Sequence, residues 1–487
     1  MTNPTTTPAW TDHIYSNGWV AGSGGTLTVT APATGEPVAS VGLADVADLD
    51  RAVASAKEAQ RAWAAASYLE RATVLRRAAQ ILEADPGRLA GWIVPESGSA
   101  QAKAAFEVSL VTEELYECAS VASAPSGQLL RSVKQRMSYA RQVPYGVVGV
   151  ISPFNFPAIL AMRSVAPALA VGNAVILKPD PRTPIGGGLA IAEILEEAGL
   201  PAGLLHVLPG GAEVGAALVA HPDVPCISFT GSTPAGRRIG EAAGPLLKSV
   251  HLELGGNNAL VVLPDADVAA AATVGAWSAF LHQGQICMTA GRHLVHRPLL
   301  EEYVAQLAEK ADKIPVGDPT DGAVMLGPII DERQHAHVSE IVGDTVEAGA
   351  RLVTGGAGDG LLFRPTVLAD VPADARAWQE EIFGPVAPVL AYDTVEEAIE
   401  LINASEYGLS VSLITSDPFG SMELADRIHS GAVHINDSTV DDEAVAPFGG
   451  IKASGTGGRF GGAAANLATF CETQWVTVQA KPEGYPF

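Results

Sequence analysis

Cys287 and Glu253 are the two residues whose types and surroundings suggest chemistry. Cys287 lies in a glycine-containing turn, residues 284–289, which comes after a long apolar segment. Glu253 ends a strand-like run and stands directly before two glycines. A thiolate nucleophile with a general base nearby is what acyl-enzyme chemistry needs. The sequence therefore predicts a covalent reaction at Cys287 that Glu253 assists.

Both residues also have an ordinary structural interpretation. A free cysteine is most often a buried apolar side chain, and Glu253 could be a solvated strand end. A carboxylate between two leucines and before two glycines is poorly placed for full solvation, which favours a base with a shifted pKa. A free thiol has a pKa of about 8.5, so the site has to lower it or supply a base. Cys118, Cys226 and Cys471 have no such neighbours and keep the structural interpretation.

Asn155 is a third candidate, in the apolar run Pro-Phe-Asn-Phe-Pro at residues 153–157. A buried amide needs hydrogen-bond partners. Its N–H could stabilise the oxyanion of a reacting carbonyl, an interaction of about 3–4 kcal/mol. A turn before a helix that starts with proline explains the same residue equally well. His282 near Cys287 would suit a Cys–His hydrolase, but the dinucleotide-like segment before it argues against that reaction.

That segment contains several features of a dinucleotide site. A strand runs into Gly231 and a helix N-terminus, where exposed N–H groups can bind a phosphate. Neither a Walker A loop nor a G-x-G-x-x-G motif is complete there, so this signal is weak by itself. Lys178 ends a buried strand where a ribose or phosphate would lie, and Glu381 could hold a second ribose. The alternatives are a lysine whose amine reaches solvent and a surface glutamate.

Composition and charge exclude other classes of protein. A chain of 487 residues needs two or three domains, and a formal charge of −24 argues against nucleic acid or an anionic membrane as a partner. Four widely spaced cysteines indicate a reducing compartment, hence the cytoplasm. Residues 1–10 have no apolar segment of the kind found in signal peptides.

Two further patterns are rejected on physical grounds. Residues 143–162 carry no charge, but three prolines and Asn155 interrupt them, which argues against a membrane span. His293 and His296 have a spacing that can bind a metal, yet in a strand they point to opposite faces. We expect no metal site.

Alternating strand and helix patterns must position the candidate residues. Between residues 146 and 254 this alternation predicts a parallel, doubly wound sheet, with ligands at the carboxyl ends of its strands. A second alternating block covers residues 259–436, and its helix at 268–281 leads to Cys287. The remaining predictions are Ala-rich packing helices at 46–66 and 69–84, an extended surface ribbon at 129–144 and a last strand at 474–479.

Seven motifs in a fixed order resemble the aldehyde dehydrogenase superfamily over nearly the whole chain. They are Pro-Phe-Asn-Phe-Pro at 153–157, Lys-Pro at 178–179, Phe-Thr-Gly-Ser-Thr at 229–233, Glu-Leu-Gly-Gly-Asn at 253–257, Gly-Gln-Ile-Cys at 284–287, Glu-Ile-Phe-Gly-Pro at 381–385 and Pro-Phe-Gly-Gly at 447–450. The resemblance implies an α/β fold with a doubly wound, Rossmann-like dinucleotide-binding domain, an α/β catalytic domain and a small β oligomerisation ribbon. The corresponding residues are 1–128 and 146–254, 255–465, and 129–145 with 466–487.

The resemblance also implies roles for individual residues. Cys287 is the nucleophile, Asn155 the oxyanion donor, and Glu253 the base that activates water for thioester hydrolysis. The expected cofactor-binding residues are Ile151, Ser152, Pro153, Phe154, Lys178, Asp180, Gly211, Gly215, Phe229, Thr230, Gly231, Ser232, Leu254, Gly255, Glu381 and Phe383. The expected substrate pocket consists of Phe156, Leu160, Arg163, Leu281, Ile286, Met288 and Phe448. A homodimer or homotetramer is the expected assembly.

Residues 178–184, 255–258 and 453–462 look like the benzaldehyde dehydrogenase branch, whose relatives include vanillin and salicylaldehyde enzymes. This resemblance implies oxidation of an aromatic aldehyde to the acid, with hydride transfer to a nicotinamide. The expected cofactor is NAD. Many NAD-specific members have a glutamate where this chain has Pro181 with Arg182 beside it, so NADP is also considered.

Several alternatives stay open at the level of the sequence. Arg163 is hypothesised to line the pocket mouth and to favour rings that carry oxygen. The chain could instead oxidise another small aldehyde, such as vanillin, salicylaldehyde or an aliphatic semialdehyde. A Cys-dependent acyl hydrolase or an inactive scaffold would need no dinucleotide, and the presence of Cys287, Glu253 and Asn155 argues against the scaffold.

Overall fold

The structure is a computed structural model that describes residues 8–486. Most of the N-terminal segment in which no signal peptide is predicted, residues 1–7, lies outside the described residues. The same holds for Phe487 at the end of the predicted ribbon segment.

The chain begins with two hairpins and four helices. These elements are β1 (His13–Ser16), β2 (Trp19–Ala21), β3 (Thr26–Thr30), β4 (Pro37–Gly42), α1 (Val46–Ala65), α2 (Tyr68–Ala84), α3 (Gly87–Ser97) and α4 (Gln101–Val121). The two predicted Ala-rich helices are present as α1 and α2. Each begins at a capping box, at Asp45 and at Ser67, which satisfies backbone N–H groups of the first turn. Helix α4 is not predicted from the sequence. Charged residues on its buried face, such as Lys103 and Glu107, interrupt the apolar periodicity that indicates a helix.

A narrow sheet follows and is completed at the other end of the chain. Its strands are β5 (Gly127–Leu129) and β6 (Met137–Pro144), joined by the last strand of the protein in the order last strand, β6, β5. The ribbon predicted at 129–144 is therefore extended only in part. Ser132 and Lys134 form a turn, because the Ser132 hydroxyl accepts from the Lys134 N–H at 3.2 Å.

The first large sheet is built from strand–helix units. Its strands are β7 (Val147–Ile151), β8 (Ala174–Lys178), β9 (Leu205–Val207), β10 (Cys226–Thr230) and β11 (Ser249–Glu253), and the helices between them are α5 (Pro157–Ala170), α6 (Ala190–Glu197), α7 (Ala212–Ala220) and α8 (Thr233–Ala243). These strands are parallel in the order β11-β10-β7-β8-β9, and β1 and β2 extend the sheet as antiparallel strands. The predicted doubly wound sheet is confirmed, with an antiparallel edge that the sequence pattern does not predict.

The strand order reverses between β7 and β10. In open α/β sheets the ligand crevice lies at such a reversal, beyond the carboxyl ends of the strands. Residues 152–155 follow β7, and Gly231 and Ser232 follow β10. Both segments therefore reach the same crevice.

The second large sheet has a similar construction. Its elements are β12 (Ala259–Val262), α9 (Val268–Phe280), β13 (Arg292–His296), α10 (Leu300–Lys313), α11 (Glu332–Glu347), β14 (Arg351–Thr354), β15 (Thr366–Ala369), α12 (Arg376–Gln379), β16 (Val386–Tyr392), α13 (Val395–Asn403), β17 (Tyr407–Gly408), β18 (Ser410–Ile414), α14 (Met422–Ala425) and β19 (Ala432–Ile435). The order is β14-β15-β16-β13-β12-β18-β19, with β17 outside the sheet and β14 antiparallel to its neighbour. Three elements close the chain: β20 (Ile451–Lys452), which pairs with β17, α15 (Gly462–Phe470) and β21 (Cys471–Val478).

The predicted division into domains stays a prediction, but the elements can be placed within it. Strands β7–β11 fall within 146–254, and β12–β20 fall within 255–465. Strands β6 and β21 fall within the two ribbon segments, and α15 crosses the predicted boundary at residue 465.

Residues 8–486 contain neither a helix that could span a membrane nor a cluster of metal-binding side chains. No helix there combines the length and apolarity needed to cross a bilayer. That part of the chain also contains no group of three or more His, Cys, Asp or Glu side chains placed to hold a metal ion. His293 instead lies 2.7 Å from the Tyr303 hydroxyl, within hydrogen-bond distance.

Candidate active site

The segment between β11 and β12, residues 254–258, starts directly after the candidate base Glu253 and holds the turn of the candidate nucleophile at its other end. The Asn258 amide donates to the carbonyl oxygens of Cys287, at 2.7 Å, and Thr289, at 2.8 Å. Gly256 lies so close that an added Cβ would come within 2.3 Å of the Cys287 carbonyl oxygen. The Gly-Gly-Asn-Asn run thus packs against the backbone of the cysteine turn, and a side chain at Gly256 would push the turn away.

The cysteine turn has an unusual backbone. After α9, His282, Gln283 and Gly284 all have positive φ, and a Cβ at Gly284 would lie 2.1 Å from the Gly384 carbonyl oxygen. The two non-glycine residues are sterically disfavoured in this region, so the surroundings must hold them there. Gln283 does this by donating from its amide to the carbonyls of Gly98, at 3.0 Å, and Pro328, at 2.9 Å.

Asn155 lies against the same turn. Its Nδ2 donates to the Gln285 carbonyl at 2.8 Å, which leaves one N–H of the amide for another acceptor. The Asn155 backbone carbonyl accepts from the buried Lys103 ammonium at 2.6 Å. The amide is therefore held against the backbone two residues before Cys287, where its free N–H can act as an oxyanion donor.

Two cavities meet at Cys287 and Asn155, which lie on the wall of both. The larger cavity, of about 380 Å³, occupies the crevice between β7 and β10. Fourteen of the sixteen expected cofactor-binding residues line it: Ile151, Ser152, Pro153, Phe154, Lys178, Asp180, Phe229, Thr230, Gly231, Ser232, Leu254, Gly255, Glu381 and Phe383. Gly211 and Gly215 are not on this wall; a Cβ at Gly215 would lie 3.6 Å from Cδ of Lys178.

The wall of this cavity offers the groups that a dinucleotide needs. The N-cap of α8, Ser232, makes no side-chain capping bond, so N–H groups of its first turn can bind a phosphate. Within residues 8–486 the buried Ser152 hydroxyl has no hydrogen-bond partner. Glu381 has one acceptor filled by the Gly256 N–H at 2.9 Å, and burial raises the pKa of its carboxyl to about 7. These residues fit a ribose–phosphate ligand.

Arg182 also lines this cavity and is already paired. It donates to Asp180 from Nε at 2.9 Å and to Asp331 from Nη1 at 2.6 Å, and it lies 4.2 Å over the Phe154 ring. Burial lowers the pKa of the neighbouring Lys178 ammonium. The arginine charge is thus balanced by two carboxylates.

The second cavity is narrower and mostly apolar. Six of the seven expected pocket residues line it: Phe156, Leu160, Arg163, Ile286, Met288 and Phe448. Leu281 lines neither cavity and packs against the core of the first sheet. Arg163 is 3 % exposed, so it does not occupy a mouth that is open to solvent. It is paired with Asp442 and lies 5.0 Å over the Phe448 ring.

Glu253 is close enough to influence Cys287 but lines neither cavity. Its Oε2 accepts from the Gly450 N–H at 3.1 Å, and its Oε1 lies 3.3 Å from Nε2 of His251. Burial raises the pKa of this carboxyl, and the His251 and Gly450 contacts oppose that effect. A buried carboxyl with a raised pKa is suited to act as a base.

The Cys287 thiol is held in its neutral form. Burial, together with the negative charges of Glu381 and Glu253, raises its pKa to about 12, and Arg163 acts in the opposite direction. Because the thiolate is the nucleophile, this thiol becomes reactive only when a base or a positive charge is brought near it.

Comparison with known proteins identifies this arrangement. The profile of the Aldehyde dehydrogenase family matches residues 19–476. The chain belongs to this family. It is 54 % identical to a vanillin dehydrogenase of an Amycolatopsis species, with 98 % of each chain covered. It is 48 % identical to the benzaldehyde dehydrogenase [NAD(+)] of Pseudomonas putida, with 99 % of each covered.

A solved structure supports the same assignment. The chain superimposes on the NAD+ complex of an aldehyde dehydrogenase from Bacillus cereus with a TM-score of 0.92, at 34 % identity and with 96 % of each chain covered. The aldehyde dehydrogenase superfamily and the fold class predicted from the sequence are confirmed.

This aldehyde dehydrogenase also has cavity residues that the sequence interpretation does not include. Arg333, Gln334 and His337 come from α11, and Gln334 donates to the carbonyls of Ile382 and Phe383, at 3.1 and 3.0 Å. On the pocket side, Phe106 and Leu110 lie four residues apart on α4. That spacing is a helical signal, but nothing in the sequence says which cavity the helix faces.

We predict that iodoacetamide alkylates Cys287 of the ligand-free enzyme slowly at neutral pH. Because the thiol pKa is raised, the rate should climb about tenfold per pH unit from pH 7 to 9, without a plateau. Glu381→Gln removes a negative charge and should accelerate the reaction at pH 8. Labelled peptide analysis measures the rate, with Cys287→Ser as the control, since the other three cysteines are buried. A plateau below pH 9 would contradict the raised pKa.

Proposed function

We propose that this aldehyde dehydrogenase oxidises an aromatic aldehyde to the carboxylic acid with NAD as the hydride acceptor. One observation carries the proposal: Cys287 and Asn155 lie where the dinucleotide-sized cavity meets the narrow apolar pocket. A sulfur at that junction can hold a carbonyl carbon from one side and face a nicotinamide on the other. The names of the relatives, vanillin dehydrogenase and benzaldehyde dehydrogenase [NAD(+)], support the substrate class and the cofactor.

The residues divide the reaction into three tasks. The Cys287 thiol releases its proton to solvent, and the sulfur adds to the aldehyde carbon while the free N–H of Asn155 donates to the oxygen that becomes negative. Bound NAD would supply the hydride acceptor, held by the residues of the larger cavity. Glu253 takes a proton from the water that attacks the resulting thioester, and Cys287 leaves as the thiolate.

The charges around Arg182 favour NAD over NADP. An arginine can neutralise a 2′-phosphate, but this one already contacts Asp180 and Asp331. An added phosphate would meet two carboxylates beside one guanidinium. The NADP use considered from Pro181 and Arg182 would therefore require Arg182 to leave these partners.

We predict rapid NADH formation with benzaldehyde and at least about tenfold slower NADPH formation, since losing one charge-assisted pair costs roughly 1.5–3 kcal/mol. Initial rates with benzaldehyde, acetaldehyde and succinic semialdehyde measure both preferences, and Cys287→Ser is the inactive control. Turnover of the aliphatic aldehydes alone would contradict the aromatic substrate. No turnover with any aldehyde would leave the acyl hydrolase and the inactive scaffold as the remaining interpretations.

The Arg163–Asp442 pair gives the apolar pocket a polar position. Within residues 8–486, Nε of Arg163 and Oδ1 of Asp442 are buried without hydrogen-bond partners. A ring hydroxyl could donate to Asp442 and accept from Arg163, whereas an unsubstituted ring leaves both groups unsatisfied. Because the two charges cancel, the pair favours a neutral polar substituent. This supports the hypothesis that Arg163 favours rings with oxygen.

We predict that the double variant Arg163→Met with Asp442→Leu loses any preference for hydroxylated rings. Removing both partners leaves neither charge of this pair buried without the other. The ratio of kcat/KM for salicylaldehyde or 4-hydroxybenzaldehyde to that for benzaldehyde should fall about tenfold. Leu110→Ala, which alters an apolar part of the same wall, should leave the ratio unchanged. An unchanged ratio in the double variant would refute the hypothesis.

We also propose a homodimer or homotetramer assembled through the ribbon, in the cytoplasm. Within residues 8–486, β21 pairs on one side only, with β6. Trp475 is 63 % exposed on one face of this narrow sheet, and Leu129 and Val478 are exposed on the other face. Unpaired strands with apolar surface tend to associate. Four free cysteines fit a reducing compartment.

We predict that sedimentation at working concentration gives a dimer or tetramer. The double variant Leu129→Lys with Val478→Lys should shift the protein toward the monomer, because it places charges at the proposed contact. Leu247→Lys, at an exposed apolar residue outside the ribbon, is the matched control. A wild-type monomer would contradict the assembly.

A further inference from the structure

His251 is a buried histidine on the same strand as the candidate base. Alternate residues of a strand face the same side, so His251 and Glu253 of β11 point together away from Val250 and Leu252. The latter pack with Phe229 in a small apolar cluster. The side chains of His251 and Glu253 are each 4 % exposed. The strand thus places an imidazole beside the carboxylate, out of bulk solvent.

The residues that follow Pro-Phe-Gly-Gly hold the imidazole in place. The Phe460 ring meets it edge-on, with the ring centres 4.2 Å apart. A Cβ at Gly458 would come within 2.4 Å of Cδ2 of His251, so glycine leaves the space that the ring occupies. The ring is therefore confined next to Glu253.

The contact between the two side chains is incomplete in this structure. Nε2 of His251 lies 3.3 Å from Oε1 of Glu253, within ion-pair distance but without hydrogen-bond alignment. Both nitrogens of His251 and Oε1 of Glu253 have no hydrogen-bond partner among residues 8–486. Buried polar atoms are rarely left unpaired. A small rotation of either side chain would complete an N–H···O bond.

Other charged groups around the carboxylate are few. The Arg459 guanidinium donates to the carbonyls of Gly450 and Gly458 and favours the ionised form of Glu253 from a longer distance. Arg163 and Cys287 also interact electrostatically with Glu253. Of these groups, His251 alone makes side-chain contact with the carboxylate in the described structure.

We propose that His251 is the positioning residue for the Glu253 base, donating from Nε2 to Oε1 and so favouring the ionised carboxylate in thioester hydrolysis. This inference rests on the role of Glu253 proposed above. In that step the water oxygen bonds to the acyl carbon, and its proton goes to Glu253. The C–S bond breaks, and its electron pair returns to the sulfur of Cys287. His251 takes no part in hydride transfer.

The consequence for pH dependence has a definite sign. Burial raises the pKa of Glu253, and a donor to its carboxylate lowers it. Without His251 the carboxyl stays protonated to a higher pH, so less base is present near pH 7. Hydrolysis should then need a higher pH, while formation of the thioester should not.

Single-turnover experiments on the intact enzyme separate the two steps. NADH formation reports acylation, and release of the carboxylic acid reports hydrolysis, each measured from pH 6 to 9.5. In His251→Leu we expect NADH formation close to wild type, acid release about tenfold slower at pH 7, and a hydrolysis profile displaced to higher pH. His251→Gln places an amide donor at a similar reach and should restore most of the rate.

Two controls distinguish this role from general destabilisation. His206→Leu removes a buried histidine of β9 in the same sheet that lines neither cavity, and it should leave both profiles in place. Glu253→Gln should abolish acid release while NADH still forms once per site. A His251→Leu profile that matches wild type, or His251→Gln behaving like His251→Leu, would overturn the inference and leave the proposed function intact. Normal acid release in Glu253→Gln would instead overturn the role of Glu253.

Discussion

The hydrogen bond from the Asn258 amide to the Cys287 carbonyl is the constraint on which the site depends. It connects the segment that leaves β11 to the turn that enters β13. Strands β12 and β13 pair in parallel with Ala259 opposite Arg292, so these two segments must emerge side by side. The nucleophile therefore lies at the amino ends of the strands of the second sheet and faces the carboxyl ends of the strands of the first sheet. Neither sheet alone could form this site.

A buried ion pair, Lys103 with Glu107, holds the proposed oxyanion donor Asn155 in place. The Lys103 ammonium donates to Glu107 and to the Asn155 carbonyl, both at 2.6 Å. Glu107 in turn accepts from the N–H groups of Ala158 and Ile159 in the first turn of α5. A buried ion pair contributes little net stability unless its remaining polar groups are satisfied, and here they are satisfied by the backbone that carries Asn155. The main effect of the pair is thus to position the backbone of Asn155, and its net contribution to stability is small.

The electrostatics of the site oppose ionisation of the Cys287 thiol. Cys287 faces two carboxyls and is held protonated, while Glu253 is itself buried and turned toward Gly450 and His251. The carboxylates that depress the reactivity of the thiol are those proposed to bind ribose and to activate water. The same carboxylates therefore serve ligand binding and catalysis, and a substitution of either one should change the pKa of the Cys287 thiol.

The local sequence determined the secondary-structure elements and the family motifs of this protein. Strand–helix alternation gave the doubly wound sheet, and ordered motifs such as Gly-Gln-Ile-Cys identified the family. These signals can be recognised without the structure because each depends on residues that are neighbours along the chain. The family resemblance supplied sixteen expected cofactor residues, and fourteen of them line the cavity in the crevice of the parallel sheet.

The tertiary structure decided which distant residues meet. Asp442 lies 279 positions from Arg163, and no periodic pattern links the two. The cavity-facing residues of α11 lie in a mostly polar helix. Leu281 stands close to the cysteine motif and Gly211 follows β9, yet neither reaches either cavity. The partners of Glu253 also depend on how the loop before Phe460 folds back over β11. Proximity along the chain predicts a neighbourhood, but only packing fixes the direction in which each side chain points.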